Sequence, residues 1–211
     1  MPNQLTTLSG QLTDWANRGD WVNTPGLIQS FITMAEQKFN SDMRIDRMLA
    51  TSVNTATQRC STLPDDWLEM YLIFVQSQVN PSGWAPIRYK SNDEFFNLTD
   101  WNAYGYYTIV GRTINFGGCP DDVEGIQYQI VYYGEVPPLN DTTDSWLYTK
   151  YPNLYLWACL GNAALHAVGE EAQAANFTQL ADGLITKLNN AWRIAKASGS
   201  RITRTRTRSF G

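Results

Sequence analysis

The apolar residues of this chain follow a helical spacing at both ends and a strand spacing in the middle. Near the N-terminus, and again from Pro152 to Ser198, they recur every three or four residues, which predicts amphipathic helices. Between these regions the spacing changes. In segments such as Gly125–Tyr133, similar side chains recur at every second residue, which is the spacing of one face of a strand. The pattern predicts an α+β fold, in which a helical bundle built from both chain ends carries an inserted antiparallel β-rich lobe and an extended C-terminal arm.

These changes of period divide the chain into four segments. Residues 1–48 and 140–198 form the two parts of the bundle, residues 49–139 form the inserted lobe, and residues 199–211 form the arm. A helix is expected from Pro25 to Arg44 with Thr24 as its N-cap, and the last helix is expected to stop at Gly199. The helix opened by Pro152 is apolar around most of its circumference, so we expect it at the centre of the bundle.

The arm has an unusual sequence, GSRITRTRTRSFG, in which arginine and threonine alternate and no acidic residue occurs. In an extended conformation the arginines would lie on one side and the threonines on the other, leaving no apolar face to bury. Such a segment becomes ordered by adding a strand to the exposed edge of a partner's sheet, with its arginines paired to acidic groups. The alternative is a solvated terminus. The predicted docking residues are Arg201, Ile202, Arg204, Arg206, Arg208 and Phe210.

Charge is distributed unevenly between the arm and the rest of the chain. Four of the 16 basic residues lie in the arm, which leaves 12 basic against 20 acidic residues before it. An acidic body does not suit duplex DNA as its main ligand, because duplex binding needs clustered cations. It does suit the wall of a passage through which DNA moves without specific binding.

Composition narrows the class of protein further. Charged residues are scarce at 17% and aromatic residues abundant at 13%, which favours burial of surface against partners and also fits a carbohydrate binder. No apolar stretch approaches the ~18 residues of a membrane span, and no signal peptide is recognisable at the N-terminus, so we expect synthesis in a cytoplasm. The three cysteines, Cys60, Cys119 and Cys159, are expected to be reduced thiols.

Candidates for catalysis are few. Asp65–Asp66 and Asp121–Asp122 are carboxylate pairs, but neighbouring side chains diverge, so turn chemistry is the better interpretation. Cys119 and the single histidine, His166, could form a dyad, although a partly buried structural histidine is favoured. No zinc spacing or phosphate-binding loop occurs, and we expect no cofactor and no metal.

An aromatic cluster in the β-rich region has two interpretations. It could be a platform for a sugar or a nucleobase, or it could be core and inter-subunit packing, which we favour. Its members are Trp101, Tyr104, Tyr106 and Tyr107.

Five short sequence motifs, here called phrases, occur in this chain in the same order as in a known family. They are Leu63–Glu69 (LPDDWLE), Arg112–Phe116 (RTINF), Tyr132–Leu139 (YYGEVPPL), Asp144–Leu147 (DSWL) and Tyr151–Trp157 (YPNLYLW). Together with the opening helix, they resemble the head-to-tail adaptor (connector) proteins of short-tailed and related bacteriophages. The resemblance extends from about Leu12 to Trp192.

The resemblance implies a non-enzymatic structural protein of the virion. Members form a cyclic homo-oligomer, usually a dodecamer, under the portal protein, and the other end of the ring receives the tail nozzle. A C-terminal extension commonly reaches the portal. The Arg/Thr alternation is not part of the resemblance, so its assignment to portal docking rests on its position and chemistry.

Two other functions remain open from the residues. A nucleic-acid-binding module would use the basic arm on phosphates and would bind DNA with a steep dependence on salt. A polysaccharide hydrolase carried in the virion would need an essential carboxylate among the paired aspartates.

Overall fold

A computed structural model describes residues 3–24, 26–56, 59–76, 83–97, 105–117, 126–167 and 170–201. The helices are α1 (Gln4–Ala16), α2 (Leu27–Asp42), α3 (Asn92–Phe96), α4 (Trp146–Lys150), α5 (Pro152–His166) and α6 (Glu171–Arg201). The strands are β1 (Leu49–Ala56), β2 (Cys60–Thr62), β3 (Trp67–Gln76), β4 (Trp84–Pro86), β5 (Arg88–Tyr89), β6 (Tyr106–Val110), β7 (Thr113–Gly117) and β8 (Ile126–Gly134). The predicted α+β class is confirmed. None of the described helices is both long and apolar enough to cross a lipid bilayer.

The chain divides into two compact units. The helical unit comprises Met1–Asp46 and Val136–Gly211, and the β unit comprises Arg47–Glu135. Each unit has its own arrangement of elements.

Helix α5 is the centre of the helical unit. It packs against α1, α2, α4 and α6, and its buried residues lie on more than one face, as its sequence predicted. Gly161 lets α6 approach closely, because a methyl group there would lie 2.9 Å from Oγ1 of Thr178. The face of α6 that meets α5 is made of small and aliphatic residues, including the buried Ala174, Ala181 and Ile185.

A buried carboxyl group connects four segments of the helical unit. Oε1 of Glu36, on α2, accepts hydrogen bonds from the backbone N–H of Leu139 at 2.6 Å and from the hydroxyl of Tyr155 at 3.0 Å. The Tyr155 hydroxyl, on α5, also lies 3.0 Å from Oγ of Ser145, from which it accepts because its one proton goes to Glu36. The backbone N–H of Ser145 donates in turn to Oε1 of Gln4, on α1.

The segment between β8 and α4 is held along α2 by further polar contacts. Asn40 accepts from the backbone N–H of Val136 at 2.9 Å, and Gln29 donates to the carbonyl of Leu139 at 3.2 Å. Gln29, Glu36 and Asn40 are seven and four residues apart, so they share one face of α2. This face satisfies the backbone of a segment that forms no strand or helix.

The β unit contains two four-stranded sheets. Their strand orders are β1-β8-β3-β4 and β2-β7-β6-β5, and every pairing is antiparallel except the short parallel pair of β5 and β6. Inward-facing residues of both sheets share one core, and its buried members are Ala56, Leu63, Ile73, Tyr107, Ile114, Phe116, Tyr128, Ile130 and Tyr132. Inward-facing side chains, which occur at alternate positions along β6, β7 and β8, therefore hold the two sheets together.

Two helix ends differ from the sequence-based expectation. Helix α2 begins at Leu27, since Gly26 is its N-cap with a φ of 78°, a conformation that glycine adopts without strain. Helix α6 continues through Gly199 to Arg201. One glycine inside a helix costs about 1 kcal/mol relative to alanine, and good helix formers such as Ala195 and Lys196 precede it. The arm therefore does not begin with a helix stop at Gly199.

We expect Glu36→Gln to flatten the pH dependence of stability. Burial raises the pKa of Glu36 above its ordinary value of 4.5, against the opposing effect of its two hydrogen bonds. Because the folded pKa is the higher one, the stability that the neutral acid contributes is complete below the unfolded pKa and is lost as pH rises through the folded pKa. Urea unfolding from pH 4 to pH 8 measures this decline, which the amide variant lacks.

Two further variants complete this test. Glu36→Ala should cost about 2 kcal/mol at low pH, because it leaves two buried donors without an acceptor. The cost should fall as pH rises through the folded pKa of Glu36, since the wild type loses the contribution of the neutral acid there. Glu135→Gln changes an exposed carboxylate and should leave the pH profile as it is. A wild-type slope in Glu36→Gln would contradict this role of the buried carboxyl group.

Candidate partner-binding surfaces

The C-terminal part of α6 is the most exposed long element of the helical unit. Residues 190–197 are exposed apart from Trp192, and Ile194 has an exposed fraction of 66%. The charges here are basic, from Arg193 and Lys196, whereas Glu171 lies at the start of the helix. This polarity matches the helix dipole, and it gives the exposed end a cationic character.

A row of three aromatic rings joins α1, α5 and α6 at the surface. Trp15 lies edge-on against Trp157 with ring centroids 5.1 Å apart, and Trp157 stacks on Phe177 at 5.8 Å. Trp15 is 59% exposed, and Leu180, one turn along α6 from Phe177, is 50% exposed. Large apolar groups at this exposure are typical of surfaces that meet a partner.

The β unit presents a different surface. Tyr89 and Phe96 are more than half exposed, and Nζ of Lys90 lies 4.4 Å from the centre of the Tyr106 ring. A groove of about 410 Å³ elsewhere on this unit is lined by uncharged polar residues, namely Asn54, Thr55, Cys60, Ser61, Thr62 and Thr113. The lining contains no carboxylate, so the groove lacks the acid pair that a glycoside hydrolase uses.

The predicted docking residues lie at and beyond the end of the described chain. Arg201 is the last residue of α6, and its side chain is outside the described part. Ile202, Arg204, Arg206, Arg208 and Phe210 lie outside the described residues. Their role in docking stays a prediction.

Asp65 and Asp66 have separate partners in the turn that precedes β3. Asp65 is exposed and forms an ion pair with Arg112 at 2.9 Å. Asp66 accepts from the hydroxyl of Tyr132 at 2.9 Å, and burial together with this bond raises the pKa of Tyr132 to about 12. The backbone N–H of Trp67 closes the turn on the carbonyl of Pro64. The two carboxylates therefore bind separate partners outside the turn, one on β8 and one at Arg112, and they do not converge on a common site.

The remaining candidates for chemistry are described only in part. His166 is exposed rather than partly buried, and its ring meets Phe31 edge-on at 5.9 Å. Cys159 is fully buried, which raises the pKa of its thiol and disfavours the reactive thiolate. Cys119, Asp121 and Asp122 lie outside the described residues. Within the described ranges, no three His, Cys, Asp or Glu side chains are grouped to hold a metal ion.

The predicted aromatic cluster is only partly described. Tyr107 is buried in the core of the β unit, where its ring meets Tyr89 edge-on at 5.7 Å. Tyr106 is half-buried, and Trp101 and Tyr104 lie outside the described residues. Tyr107 thus has a packing role. The aromatic row of Trp15, Trp157 and Phe177 was not predicted, because its members are distant in sequence and only the fold brings them together.

Comparison with known proteins agrees with the resemblance found in the sequence. A sequence model of the family described as SU10 adaptor protein matches residues 3–208. No curated protein matches the chain.

We expect Asp65→Ala and Asp66→Ala to differ in their effect on stability. Removing Asp66 deletes the acceptor of a buried tyrosine and should lower the free energy of unfolding by about 1 kcal/mol. Removing Asp65 deletes an ion pair that water screens, because the carboxylate is fully exposed, and should change the free energy of unfolding much less. Urea denaturation of both variants gives the comparison, and equal losses would contradict the separate roles assigned here.

Proposed function

Because the chain belongs to the SU10 adaptor protein family, a family of phage head-to-tail adaptors, we propose that it forms a ring between the portal and the tail nozzle. Membership makes it a structural component of the bacteriophage virion. The ring surrounds the passage for DNA, and the protein performs no catalysis. Its C-terminal arm docks on the portal.

The observation that best supports this function is the form of α6. The helix leads directly from the core of the helical unit to Arg201, and residues 190–197 on the way are largely exposed. A long helix with an exposed basic end is what we expect of an element that carries a docking segment toward another molecule.

The chemistry of the arm favours strand addition. Seven residues, Ile202–Arg208, would span roughly 23 Å at ~3.3 Å per residue, which is enough to cross onto a neighbouring molecule. Backbone hydrogen bonds would supply affinity, and the arginines would set the register against acidic side chains of the portal. Copies of the arm around a ring would add avidity.

Exposed apolar groups on the helical unit support self-association. In a cyclic oligomer one flank of each subunit must complement the opposite flank of the next. Trp15, Leu165 and Leu180 are each at least half exposed, so they are suited to burial between subunits. The acidic body suits an inner wall that DNA does not bind.

Deletion of residues 202–211 should leave a folded protein that no longer binds portal rings. Replacing Arg204, Arg206 and Arg208 together by Gln should weaken binding by at least about tenfold, because charge-assisted contacts are lost. The matched control replaces Arg88, Lys150 and Lys187 by Gln, three exposed cations outside the arm and outside the basic end of α6. It removes the same charge and should change binding little. Surface plasmon resonance on immobilised portal measures all three.

Portal binding by the truncated chain at wild-type strength would reject the docking role of the arm. Tight binding of duplex DNA by the isolated protein, falling steeply with salt, would instead favour the nucleic-acid-binding module.

Electron micrographs of the protein mixed with portal rings provide a separate test of ring formation. We expect an additional ring on one end of the portal. Trp15→Ser combined with Leu180→Ser should reduce its occupancy without unfolding the monomer, because the apolar surface buried between subunits becomes smaller. Met34→Ser, which changes an apolar residue of similar exposure on α2, is the control. Scattered single copies in place of a ring would contradict this part of the proposal.

A further inference from the structure

Where α6 passes the end of α2, the two helices are joined by a side-chain amide. Oδ1 of Asn189 accepts from the backbone N–H of Arg44 at 2.9 Å, and Nδ2 of the same side chain donates to the carbonyl of Asp42 at 2.7 Å. The two bonded backbone groups are separated from Asn189 by about 145 residues of sequence. One side chain thus bonds α6 to the last turn of α2 through both of its polar atoms.

These two backbone groups belong to a helix end, where partners are needed. The last carbonyls of a helix have no partner within the helix. At the end of α2, the guanidinium of Arg44 donates to the carbonyls of Asn40 at 2.9 Å and Met43 at 2.6 Å. Asn189 satisfies the carbonyl of Asp42. Asn189 therefore caps α2 from a different helix.

A second contact between the two helices is weaker. Nζ of Lys38 lies 2.8 Å from Oδ1 of Asp182 on α6 and 3.1 Å from Oδ2 of Asp42 on α2. The side chain of Asp182 is 50% exposed, so solvent and salt screen this pair. The amide of Asn189 carries no net charge, so we expect salt to weaken its two bonds less than it weakens the ion pair.

Asn189 lies at the base of the exposed end of α6. Twelve residues separate it from Arg201, which corresponds to about 18 Å of helix at ~1.5 Å per residue. A change of roughly 20° in direction at Asn189 would therefore move the end of the helix by about 6 Å. A small error at this point is amplified at the start of the arm.

We propose that Asn189 is the positioning residue that fixes the direction in which α6 leaves the helical unit, and with it the place from which the C-terminal arm begins. The importance of that place for docking rests on the proposed function. The geometric role of Asn189 stands without it, and the two are tested by separate measurements.

The test measures the direction of α6 with spin labels. Labels are introduced as non-natural amino acids at Ser30 on α2 and Ala197 on α6, both exposed positions, so that the native cysteines stay in place. A second pair, Asn153 on α5 and Gln173 on α6, also exposed, reports on the part of α6 before Asn189. Pulsed electron spin resonance gives the distribution of distances for each pair in the full chain.

Asn189→Ala should broaden the Ser30–Ala197 distribution by about 5 Å, on the scale of the displacement derived above, and leave the Asn153–Gln173 distribution narrow. The matched control is Asn190→Ala, the same chemical change one residue along on an exposed position, and it should broaden neither. If Asn189→Ala does not fold, Asn189→Asp serves instead, since it keeps the acceptor for Arg44 and loses the donor to Asp42. An unchanged Ser30–Ala197 distribution in the variant that folds, or equal broadening in Asn190→Ala, would overturn the proposal.

Portal binding of the same variants distinguishes the positioning role of Asn189 from the docking role of the C-terminal arm. A broadened distribution with at least tenfold weaker binding supports both the positioning role and the docking role. A broadened distribution with unchanged binding keeps the positioning role of Asn189 and counts against docking by the arm.

Discussion

The helical unit depends on one buried carboxyl group. Burying Glu36 is unfavourable unless its oxygens are hydrogen-bonded, and the bonds come from Leu139 and Tyr155, more than 100 residues away in sequence. Ser145 extends this network to the start of α4, and through its N–H to α1. The hydrogen bonds around the Glu36 carboxyl group therefore hold together segments from both ends of the chain. Three of the phrases that resemble adaptor proteins contribute to it.

The same unit has an asymmetric surface that fits its role in a virion. Its centre is closed around α5, whereas Trp15 of the aromatic row and the end of α6 are exposed. An enzyme would concentrate its polar groups in a concave site, but here the buried polar groups of the helical unit satisfy backbone and connect helices. The surfaces available to partners are the exposed apolar side chains and the basic C-terminal end of α6. They suit assembly, in agreement with the family to which the chain belongs.

The sequence predicted what depends on local pattern. Periodicity predicted the α+β class and the central position of α5. The contacts of Glu36 and Asn189 could not be predicted, because each joins residues about 100 or more positions apart. The start of α2 was also missed, since Thr24–Pro25 carries a strong local signal while Gly26 takes the capping position. The arm stays a prediction from its alternation of arginine and threonine.

The most direct test of the central claim is a residue-resolution cryo-electron microscopy map of the intact particle at the junction of head and tail. We expect a ring of the protein beneath the portal, with residues 202–211 lying as an extended strand against the portal surface. Density that places the chain elsewhere in the particle, or that leaves those residues in solvent while the ring is occupied, would contradict it.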